Sequence, residues 1–558
     1  MATKLIPRTP SAYDFPLLIK HILHTPLSIA PGNEIVYKDL KRYDYVTLKK
    51  RIGQLANALK KLGIKPGDTV GVMDYDSHRY LECFFAIPMM GAVLHTINWR
   101  LSPEQVVYTI NHAEDDALLV HSDFLPMVEK FWGATTTVKR LVVLSDEGPA
   151  PETSFPVSGE YEALVEESSS DYDFPDFDEN SMATVFYTTG TTGLPKGVYF
   201  SHRQLMLHTI VNMTQMAYQG GQRGLGFRDV YMPLTPMFHV HAWGYPYLAT
   251  MLGVKQVYPG RYIPEAILEL VAKEGVTYSH CVPTIMHMLL TSPACANVDL
   301  KGWKLVIGGA ALPTGLCTAG LQKGINVYAG YGMSETCPVL TVTALKKHMF
   351  EWSLQDQTPI RCRTGLPIPL VDLRIVDMDG RDVPHDGVSV GEVVVRAPWL
   401  TQGYLKESER AEELWAGGYL HTADVGWIDK EGYLQITDRI KDVIKTGGEW
   451  LSSLQIEDIL TQHPAVSEAA VVGMPNDTWG ERPYALITIK ETYDGKVSEE
   501  EFKSFFKSFV SEGAISKWAV PDRVVVVDAI PKTSVGKLDK KEIRKAVLEQ
   551  HPPTASTK

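Results

Sequence analysis

One loop of this sequence combines glycines, hydroxyl side chains and a lysine in an order suited to binding phosphate groups. It spans residues 187–197 and reads YTTGTTGLPKG. Glycines let the backbone approach an anion, threonine hydroxyls donate hydrogen bonds to phosphate oxygens, and Lys196 adds a mobile positive charge. The β-branched and aromatic residues 184–186 before the loop predict a strand. The sequence therefore predicts a polyphosphate site at the end of a strand.

The loop differs from the common P-loop in two respects. Lys196 is followed by Gly197 where that motif has Ser or Thr, and the spacing of the glycines is different. A flexible surface loop is the alternative interpretation of this loop taken alone, and further segments of small and charged residues weigh against it. In chain order they read YAGYGMSET at 328–336, YLHTADVG at 419–426, DRIKD at 438–442, GGE at 447–449 and PKTSVGK at 531–537.

This ordered set of motifs resembles the signature of the AMP-forming acyl-adenylate superfamily, over nearly the whole chain. The superfamily includes acyl-CoA synthetases, luciferases and the adenylation domains of peptide synthetases. The resemblance implies a reaction in two steps: a carboxylate attacks the α-phosphate of ATP to give an acyl-adenylate and pyrophosphate, and a thiol then displaces AMP. Positioning and charge neutralisation provide the catalysis, because no protein nucleophile is needed.

The resemblance implies a site for ATP and AMP together with Mg²⁺. In the family the 188–196 loop wraps the β- and γ-phosphates, and Thr188 and Glu335 match the oxygen ligands of the magnesium ion, a hard cation that prefers such donors. Taken alone, Glu335 is equally well a solvated acid. The expected nucleotide-binding residues are Thr188, Thr189, Gly190, Thr191, Thr192, Gly193, Lys196, Gly309, Ala310, Ala311, Gly330, Tyr331, Gly332, Met333, Ser334, Thr336, Asp424, Arg439 and Lys537.

Two of these residues are expected at the ribose. The Asp424 carboxylate can accept hydrogen bonds from both ribose hydroxyls. Arg439 matches the family arginine that contacts the same ribose, with a linker salt bridge as the alternative. Lys537 ends the last motif, and by resemblance its ammonium group bridges the substrate carboxylate and the α-phosphate. The catalytic residues expected on this basis are Lys537, Glu335, Thr188 and His239.

The segment 236–244, PMFHVHAWG, resembles the acyl-site motif of medium- and long-chain fatty acyl-CoA synthetases. In them the position of Trp243 is an aromatic gate on the acyl tunnel and that of His239 lies beside the carboxylate, with Gly332 also at the acyl site. A buried Trp and His pair is otherwise an ordinary core feature. His241 stands where relatives often have Asn.

Two further segments are expected to act in the second step. Gly447, Gly448 and Glu449 would let the pantetheine arm of CoA pass, or else form a simple hairpin turn. Lys441 occupies the family's hinge position, where backbone rotation moves a small domain between the two half-reactions. A solvated linker lysine is the competing interpretation of Lys441.

The elements that must position these residues are predicted to alternate between helix and strand. Apolar residues at Leu48, Ile52, Leu55 and Leu59 fall on one helical face, with Thr47 as a candidate N-cap. Residues 69–73, 117–120 and 141–144 read as buried strands. This pattern predicts an α/β fold, with parallel sheets covered by helices. The Ser-, Pro- and acid-rich segment 153–180 is predicted to be a solvated connection.

The pattern of apolar and polar residues changes in the last third of the chain. Alternating apolar residues after Thr364 predict a β-rich subdomain. Beyond it we expect a small mobile α+β domain, with helices at 452–461, 498–509 and 540–549 and strands at 469–472, 485–489 and 523–527. The predicted division is a large domain over 1–437, a hinge at 438–441 and a small domain over 442–558.

Bulk properties exclude several classes of protein. At 558 residues the chain is too long for one core, and its net charge of −12 argues against a nucleic-acid-binding surface. The six cysteines lie far apart without a CxxC pair, which suits a reducing compartment. The sequence begins without a signal-peptide pattern and contains no apolar run near the ~20 residues that span a bilayer. A cytoplasmic enzyme is expected, with transient contact with a membrane surface left open.

The leading prediction is an ATP-dependent medium- or long-chain fatty-acid–CoA ligase, acting as a homodimer. A ligase for a short, branched, thioether or aryl acid is the first alternative. Others are an enzyme that uses the adenylate without CoA, and an inactive adenylate-binding scaffold. CoA is the expected acceptor because no carrier-protein segment follows Lys537.

Overall fold

Strands and helices alternate through most of the chain in the computed structural model, which describes residues 3–148, 151–188, 194–218, 224–446, 449–476, 478–490, 493, 497–512, 515–533 and 536–550. The strands of these residues are β1 Glu34–Tyr37, β2 Lys41–Asp44, β3 Thr69–Met73, β4 Val93–Thr96, β5 Asp115–His121, β6 Arg140–Leu144, β7 Gly159–Glu160, β8 Met182–Thr188, β9 Lys196–Ser201, β10 Val230–Leu234, β11 Lys255–Tyr258, β12 Tyr278–Cys281, β13 Lys304–Ile307, β14 Asn326–Gly332, β15 Val339–Val342, β16 Leu366–Pro367, β17 Asp372–Val376, β18 Gly391–Arg396, β19 Leu420–Ile428, β20 Leu434–Arg439, β21 Ile444–Thr446, β22 Glu449–Leu451, β23 Val466–Asn476, β24 Gly480–Ile489 and β25 Arg523–Val526.

The α-helices of the same residues cover the faces of these sheets. They are α1 His24–Ile29, α2 Tyr45–Lys61, α3 His78–Met89, α4 Pro103–Ala113, α5 Leu125–Phe131, α6 Tyr161–Glu166, α7 His202–Tyr218, α8 Val240–Trp243, α9 Tyr245–Leu252, α10 Pro264–Glu274, α11 Pro283–Thr291, α12 Thr314–Gln322, α13 Leu354–Arg361, α14 Ser408–Leu414, α15 Ser453–Thr461, α16 Glu499–Ser511 and α17 Lys540–Gln550. No helix among the described residues is long and apolar enough to cross a membrane.

Two largely parallel sheets form the framework of the large domain. One has the order β7-β6-β5-β3-β4-β8-β9, with only the β8–β9 pair antiparallel among its described strands. The other has the order β16-β15-β14-β13-β12-β10-β11-β1-β2, and it is parallel from β14 to β1. The α/β prediction is therefore confirmed, and the predicted strands at 69–73, 117–120 and 141–144 lie in β3, β5 and β6.

The main core lies where these two sheets and the helices between them meet. Phe186 and Phe200 of the first sheet and Tyr231 and Val306 of the second belong to one buried cluster. The carboxyl ends of β8, β13 and β14 carry predicted nucleotide-binding residues, and the acyl-site segment 236–244 follows β10. Open α/β sheets bind nucleotides at this end of their strands.

The predicted N-cap of the first long helix is wrong. The structure begins α2 at Tyr45, and the Asp44 side chain accepts a hydrogen bond from the Thr47 N–H, at 2.8 Å. The strand β2 ends at Asp44, so the helix begins at Tyr45, two residues before the threonine that the sequence favoured as the cap.

The acid-rich segment 153–180 is also more than a solvated connection. It contains β7 and α6, and the buried Tyr161 of α6 donates a hydrogen bond to the buried Glu82 carboxylate, at 2.7 Å. Composition predicted exposure here, but Tyr161 and Val165 pack into the core of the large domain.

Strands β17-β18-β19-β20 form the antiparallel subdomain that the alternating sequence predicted. The small C-terminal part is an α+β unit with the order β22-β21-β24-β23 and β25 beside β24. The predicted small-domain helices correspond to α15, α16 and α17, and the predicted strands to β23, β24 and β25. The short strands β21 and β22 were not among the predicted strands. The domain boundary at 438–441 stays a prediction.

Candidate active site

The base of the predicted phosphate loop is formed by two paired strands. Thr188 ends β8 and lies opposite Lys196, the first residue of β9. Both side chains are half-buried. The predicted contacts Thr189, Gly190, Thr191, Thr192 and Gly193 lie outside the described residues. The pairing sets Thr188 and Lys196 side by side at the base of the loop.

Lys196 is connected to the predicted magnesium ligand through an aromatic side chain that sequence reasoning missed. Its Nζ lies 4.5 Å from the centre of the Tyr404 ring. The Tyr404 hydroxyl donates a hydrogen bond of 2.7 Å to Oε1 of Glu335, and burial, with the nearby carboxylate, raises the pKa of Tyr404. No motif marked Tyr404, because this contact joins residues 69 positions apart. The Tyr404 side chain therefore contacts both the Lys196 ammonium and the Glu335 carboxylate.

Glu335 lies in a tight turn whose other members are fixed by backbone contacts. Glu335 is 7% exposed, and Thr336 is fully buried. The Thr336 hydroxyl accepts a hydrogen bond from the Met333 N–H, at 3.0 Å, and donates to the Pro338 carbonyl. A Cβ on Gly332 would lie 1.8 Å from that carbonyl oxygen, so this position requires glycine. The predicted role of Thr336 in nucleotide binding stays a prediction.

These residues also allow a test of the magnesium prediction. Thr188 offers a hydroxyl oxygen, and Glu335 offers a carboxylate whose Oε1 is already oriented by Tyr404. No group of three or more His, Cys, Asp and Glu side chains suited to a metal occurs in the described part of the chain. Mg²⁺ bound by one or two protein oxygens plus phosphate oxygens and water fits this donor set.

The two residues predicted to bind the ribose lie opposite each other on two antiparallel strands. Asp424 of β19 is paired directly with Arg439 of β20, and the Arg439 Nε lies 3.2 Å from Asp424 Oδ1. The Tyr331 hydroxyl donates to Asp424 Oδ2, at 2.7 Å. Burial raises the pKa of Asp424, while Arg439 and Tyr331 act in the opposite direction. The salt bridge considered for Arg439 therefore exists, and it holds the carboxylate that would bind the ribose.

Lys537 reaches this cluster from the small domain. A Cβ on Gly309 would lie 3.1 Å from Lys537 Cε and 3.7 Å from Nζ, and Gly309 has a φ of +77°. Glycine is thus required there both by the backbone and by the lysine. Within the Lys537 loop the Thr533 N–H donates to the Lys537 carbonyl, at 2.7 Å. Ser534 and Val535 lie outside the described residues.

The charge environment of Lys537 contains three other predicted site residues. Burial lowers the pKa of Lys537 to about 8, and Arg439 acts in the same direction, while Asp424 and Glu335 oppose it. Burial, Lys537 and Arg100 together lower the pKa of His239 to about 3, so its imidazole is neutral at pH 7. The structure therefore brings a cation of reduced pKa next to a neutral histidine and two carboxylates.

The predicted acyl-site segment contains α8, which is a single left-handed turn rather than a right-handed α-helix. The φ angles from Val240 to Trp243 are 48°, 54°, 47° and 61°, and Gly244 follows at 76°. A left-handed conformation costs a non-glycine residue roughly 1–2 kcal/mol, so the surrounding packing must hold this turn in place. The turn aims the Trp243 ring at Gly308, where a Cβ would lie 3.0 Å from its Cη2 atom.

Residues on the same turn differ in their surroundings. Trp243 is 6% exposed and packs on the His280 ring, with the centroids 5.0 Å apart. His241 is fully buried, and its two ring nitrogens have no hydrogen-bond partner among the described residues. Burial lowers the pKa of His241 to about 3. Trp243 thus faces Gly308, next to the predicted nucleotide-binding residue Gly309. In contrast, His241 is enclosed by aromatic rings of the core.

The remaining predicted nucleotide-binding residues lie after β13 or at the end of β14 and just beyond it. Gly309 is half-buried and Ala310 and Ala311 are exposed after β13, while Gly330, Tyr331 and Met333 are half-buried and Ser334 is buried. Of the predicted CoA segment, Gly447 and Gly448 lie outside the described residues, and Glu449 begins β22, which pairs antiparallel with β21. Lys441 is exposed just after β20. The CoA and hinge roles stay predictions.

Comparison with known proteins gives two family matches. The AMP-binding enzyme model matches residues 28–405, and the model of the AMP-binding enzyme C-terminal domain matches residues 455–537. The chain is 40% identical over 509 residues to a long-chain-fatty-acid–CoA ligase of Thermus thermophilus, covering 91% of this chain and 90% of the relative. It is 38% identical over 537 residues to a 3-methylmercaptopropionyl-CoA ligase of Ruegeria lacuscaerulensis, covering 95% and 97%.

A further relative is a medium-chain-fatty-acid–CoA ligase of Ectopseudomonas oleovorans, 34% identical with 91% of each chain covered. Among solved structures, the anthranilate CoA ligase AuaEII in complex with anthranoyl-AMP superposes with a TM-score of 0.82 at 23% identity, over 96% of this chain and 98% of that one. At this identity the likeness establishes the fold.

Proposed function

Because the chain belongs to the AMP-binding enzyme family, among its AMP-forming acid–CoA ligases, we propose that it activates a medium- or long-chain fatty acid as an acyl-adenylate and transfers the acyl group to CoA. The observation that most supports this reaction is that Lys537, from the small domain, lies within electrostatic reach of Glu335, Asp424, Arg439 and His239. A cation held between a ribose-binding carboxylate and the acyl segment suits the joining of a carboxylate to a nucleotide phosphate.

In the first half-reaction, an oxygen of the fatty-acid carboxylate forms a bond to the α-phosphorus of ATP. The bond between the α-phosphorus and the bridging oxygen breaks, and pyrophosphate leaves with the electron pair. Lys537 neutralises negative charge between the two anions, and the neutral His239 lies beside the carboxylate without adding charge. Glu335 and Thr188 would hold Mg²⁺, which supplies charge neutralisation on the phosphates.

In the second half-reaction, the thiol of CoA gives up its proton and attacks the acyl carbonyl. The bond between the carbonyl carbon and the phosphate oxygen breaks, so AMP leaves and the thioester forms. Rotation about residues 438–441 would withdraw Lys537 and bring 447–449 toward the adenylate. Asp424 and Arg439 retain the adenylate between the two half-reactions, because they hold its ribose rather than the leaving pyrophosphate.

The chain length of the acid is the finer part of the proposal. The long- and medium-chain relatives support a fatty acid, and the aromatic, buried Trp243 suits an apolar chain. The 3-methylmercaptopropionyl-CoA ligases favour a short thioether acid as the second candidate, since one of them aligns over 97% of its own length.

A ladder of acids distinguishes these candidates. The protein is incubated with ATP, Mg²⁺, CoA and straight-chain acids of increasing length, with 3-methylmercaptopropionate alongside, and AMP, pyrophosphate and thioester are measured. Each buried methylene contributes about 0.8 kcal/mol, so kcat/KM should rise about fourfold per carbon until the pocket ends. A maximum at 3-methylmercaptopropionate would favour the second candidate. Release of AMP without thioester would contradict transfer to CoA, and ADP would contradict the mechanism.

The reduced pKa of Lys537 predicts an alkaline limit on adenylate formation. The ammonium form is needed, so activity is present below a pH of about 8 and is lost as the pH rises through that value. The kcat/KM for ATP in the pyrophosphate-exchange assay, which reports the free enzyme, should fall about tenfold per unit above this pH. Lys537→Arg should abolish that limb, since guanidinium stays charged. A limb that persists in Lys537→Arg would assign the titration to another group.

Truncation of Trp243 tests the acyl-site assignment. Trp243→Ala removes the ring that faces Gly308, and a lost aromatic contact of about 1.5–3 kcal/mol should lower kcat/KM for the preferred fatty acid by roughly 10- to 150-fold. The KM for ATP should be unchanged. Trp243→Phe, which retains an aromatic ring on the turn, is the matched control and should keep most of the activity. An equal loss for ATP would place Trp243 in the general packing of the site.

A further inference from the structure

The helix α12 of the large domain receives its N-terminal cap from the small domain. Its N-cap position is Pro313, which provides no side-chain hydrogen bond. Instead, the Asp458 carboxylate of α15 accepts a hydrogen bond from the Thr314 N–H, at 3.0 Å, and another from the Thr314 hydroxyl, at 3.3 Å. A carboxylate at this position also interacts favourably with the helix dipole.

This contact belongs to a face that includes the catalytic lysine loop. The Thr284 hydroxyl at the start of α11 donates to the carbonyl of Gly536, at 3.3 Å, and Gly536 immediately precedes Lys537. Ser467 Oγ of β23 lies 3.5 Å from His287 Nε2 of α11. Both contacts are long and neutral hydrogen bonds. Asp458 makes two bonds to α12, one of them to a backbone N–H, and it brings the formal charge; its carboxylate also accepts a hydrogen bond from Gln462 Nε2, at 3.2 Å.

We propose that Asp458 is a positioning residue that holds the small domain in the orientation in which Lys537 reaches the adenylate site. This inference rests on the proposed function, because only a two-step reaction requires the domain to leave again. When the small domain rotates about 438–441, Asp458 leaves the Thr314 N–H, which then forms a hydrogen bond with water. The helix α12 then lacks a capping side chain, because Pro313 provides none. The contact therefore favours the first half-reaction and opposes entry into the second.

The substitution Asp458→Asn separates the two half-reactions. Asparagine keeps an acceptor oxygen but removes the charge that makes such a hydrogen bond roughly twice as strong as a neutral one, so we expect adenylate formation, measured by pyrophosphate exchange, to fall about fivefold. Thioester formation from supplied acyl-adenylate should be unchanged or faster. Asp458→Glu, which keeps the charge, should recover most of the exchange rate. Glu512→Gln, which removes the same charge from an exposed position just after α16, should have no effect.

A double substitution distinguishes docking from simple stabilisation of α12. Pro313→Ser gives the helix a cap within its own domain, so in the Asp458→Asn background it should restore hydrogen-exchange protection of the α12 amides without restoring adenylate formation. If Pro313→Ser also restores adenylate formation, Asp458 only stabilises the helix and the inference is wrong. Equal losses in the two half-reactions of Asp458→Asn would overturn it as well.

Hydrogen exchange in the substrate-free protein keeps this test independent of the substrate. The Thr314 amide should exchange about fivefold faster in Asp458→Asn than in the unsubstituted protein, and an unchanged rate would overturn the docking contact. If the unsubstituted protein forms no adenylate with any acid, the proposed function fails, while this comparison still decides whether Asp458 holds the domain.

Discussion

Lys537→Ala should lower the rate of adenylate formation on the order of 10²- to 10³-fold, the usual effect of removing one preorganised group that stabilises developing charge. The ammonium lies in a buried setting with Glu335, Asp424 and Arg439, where a charge is screened less than in water. Thioester formation from supplied acyl-adenylate should be largely spared, because the bond to the α-phosphorus is already made. Pyrophosphate exchange and single-turnover thioester formation measure the two steps separately.

Lys532→Ala is the matched control for this prediction. Lys532 lies in the same loop, but its Nζ is paired with Glu468 of the small domain, at 2.7 Å. Its loss should leave adenylate formation within about twofold of the unsubstituted rate, as expected for a partly exposed ion pair. If Lys537→Ala lowers the two half-reactions equally, the assignment of Lys537 to the first step is wrong.

Asp424→Asn should raise the KM for ATP on the order of 10²-fold. The substitution keeps the shape of the side chain but replaces a charged acceptor, and hydrogen bonds to charged groups are worth about 1.5–3 kcal/mol each. It also removes the partner of Arg439 and changes the acceptor of the Tyr331 hydroxyl. In contrast to Lys537→Ala, this variant should be impaired in both half-reactions, since the adenylate carries the same ribose as ATP.

The comparison with 2′- and 3′-deoxy-ATP shows whether the ribose is responsible. The unsubstituted protein should lose affinity for each deoxynucleotide, whereas Asp424→Asn should discriminate little between them and ATP. The thermal midpoint of the variant, measured in parallel, reports any loss of folding. Unchanged discrimination in Asp424→Asn would exclude a role of this carboxylate at the ribose.

Local patterns were sufficient for the helices and strands predicted from the sequence. The apolar periodicity at Leu48–Leu59 lies within α2, and the predicted helices and strands of the small domain lie within or close to the observed elements. The errors arose where the composition of a segment predicted exposure to solvent but its side chains are buried in the fold. Segment 153–180 reads as solvated from its acidic residues, yet Tyr161 inside it is buried against Glu82.

The residues of the candidate active site likewise include some that the sequence predicted and one that only the fold revealed. The motif order named Lys537, Glu335, Asp424 and Arg439, and the structure brings them together. It also adds Tyr404, which links Lys196 to Glu335 and lies in none of the motifs. A contact between residues far apart in the chain leaves no local pattern, so only the fold can reveal it.

The amino-acid sequence by itself determined the class of chemistry, because hydroxyls, glycines and lysines in a fixed order are what a bound triphosphate requires, and those requirements are local. It also determined the alternation of strand and helix, because that depends on periodicity along a short segment. The tertiary structure alone decided the charge environment of Lys537, the left-handed turn that directs Trp243, and the cap that Asp458 gives to α12. Each of these depends on which distant segments pack together, and burial and electrostatic effects act through space rather than along the chain.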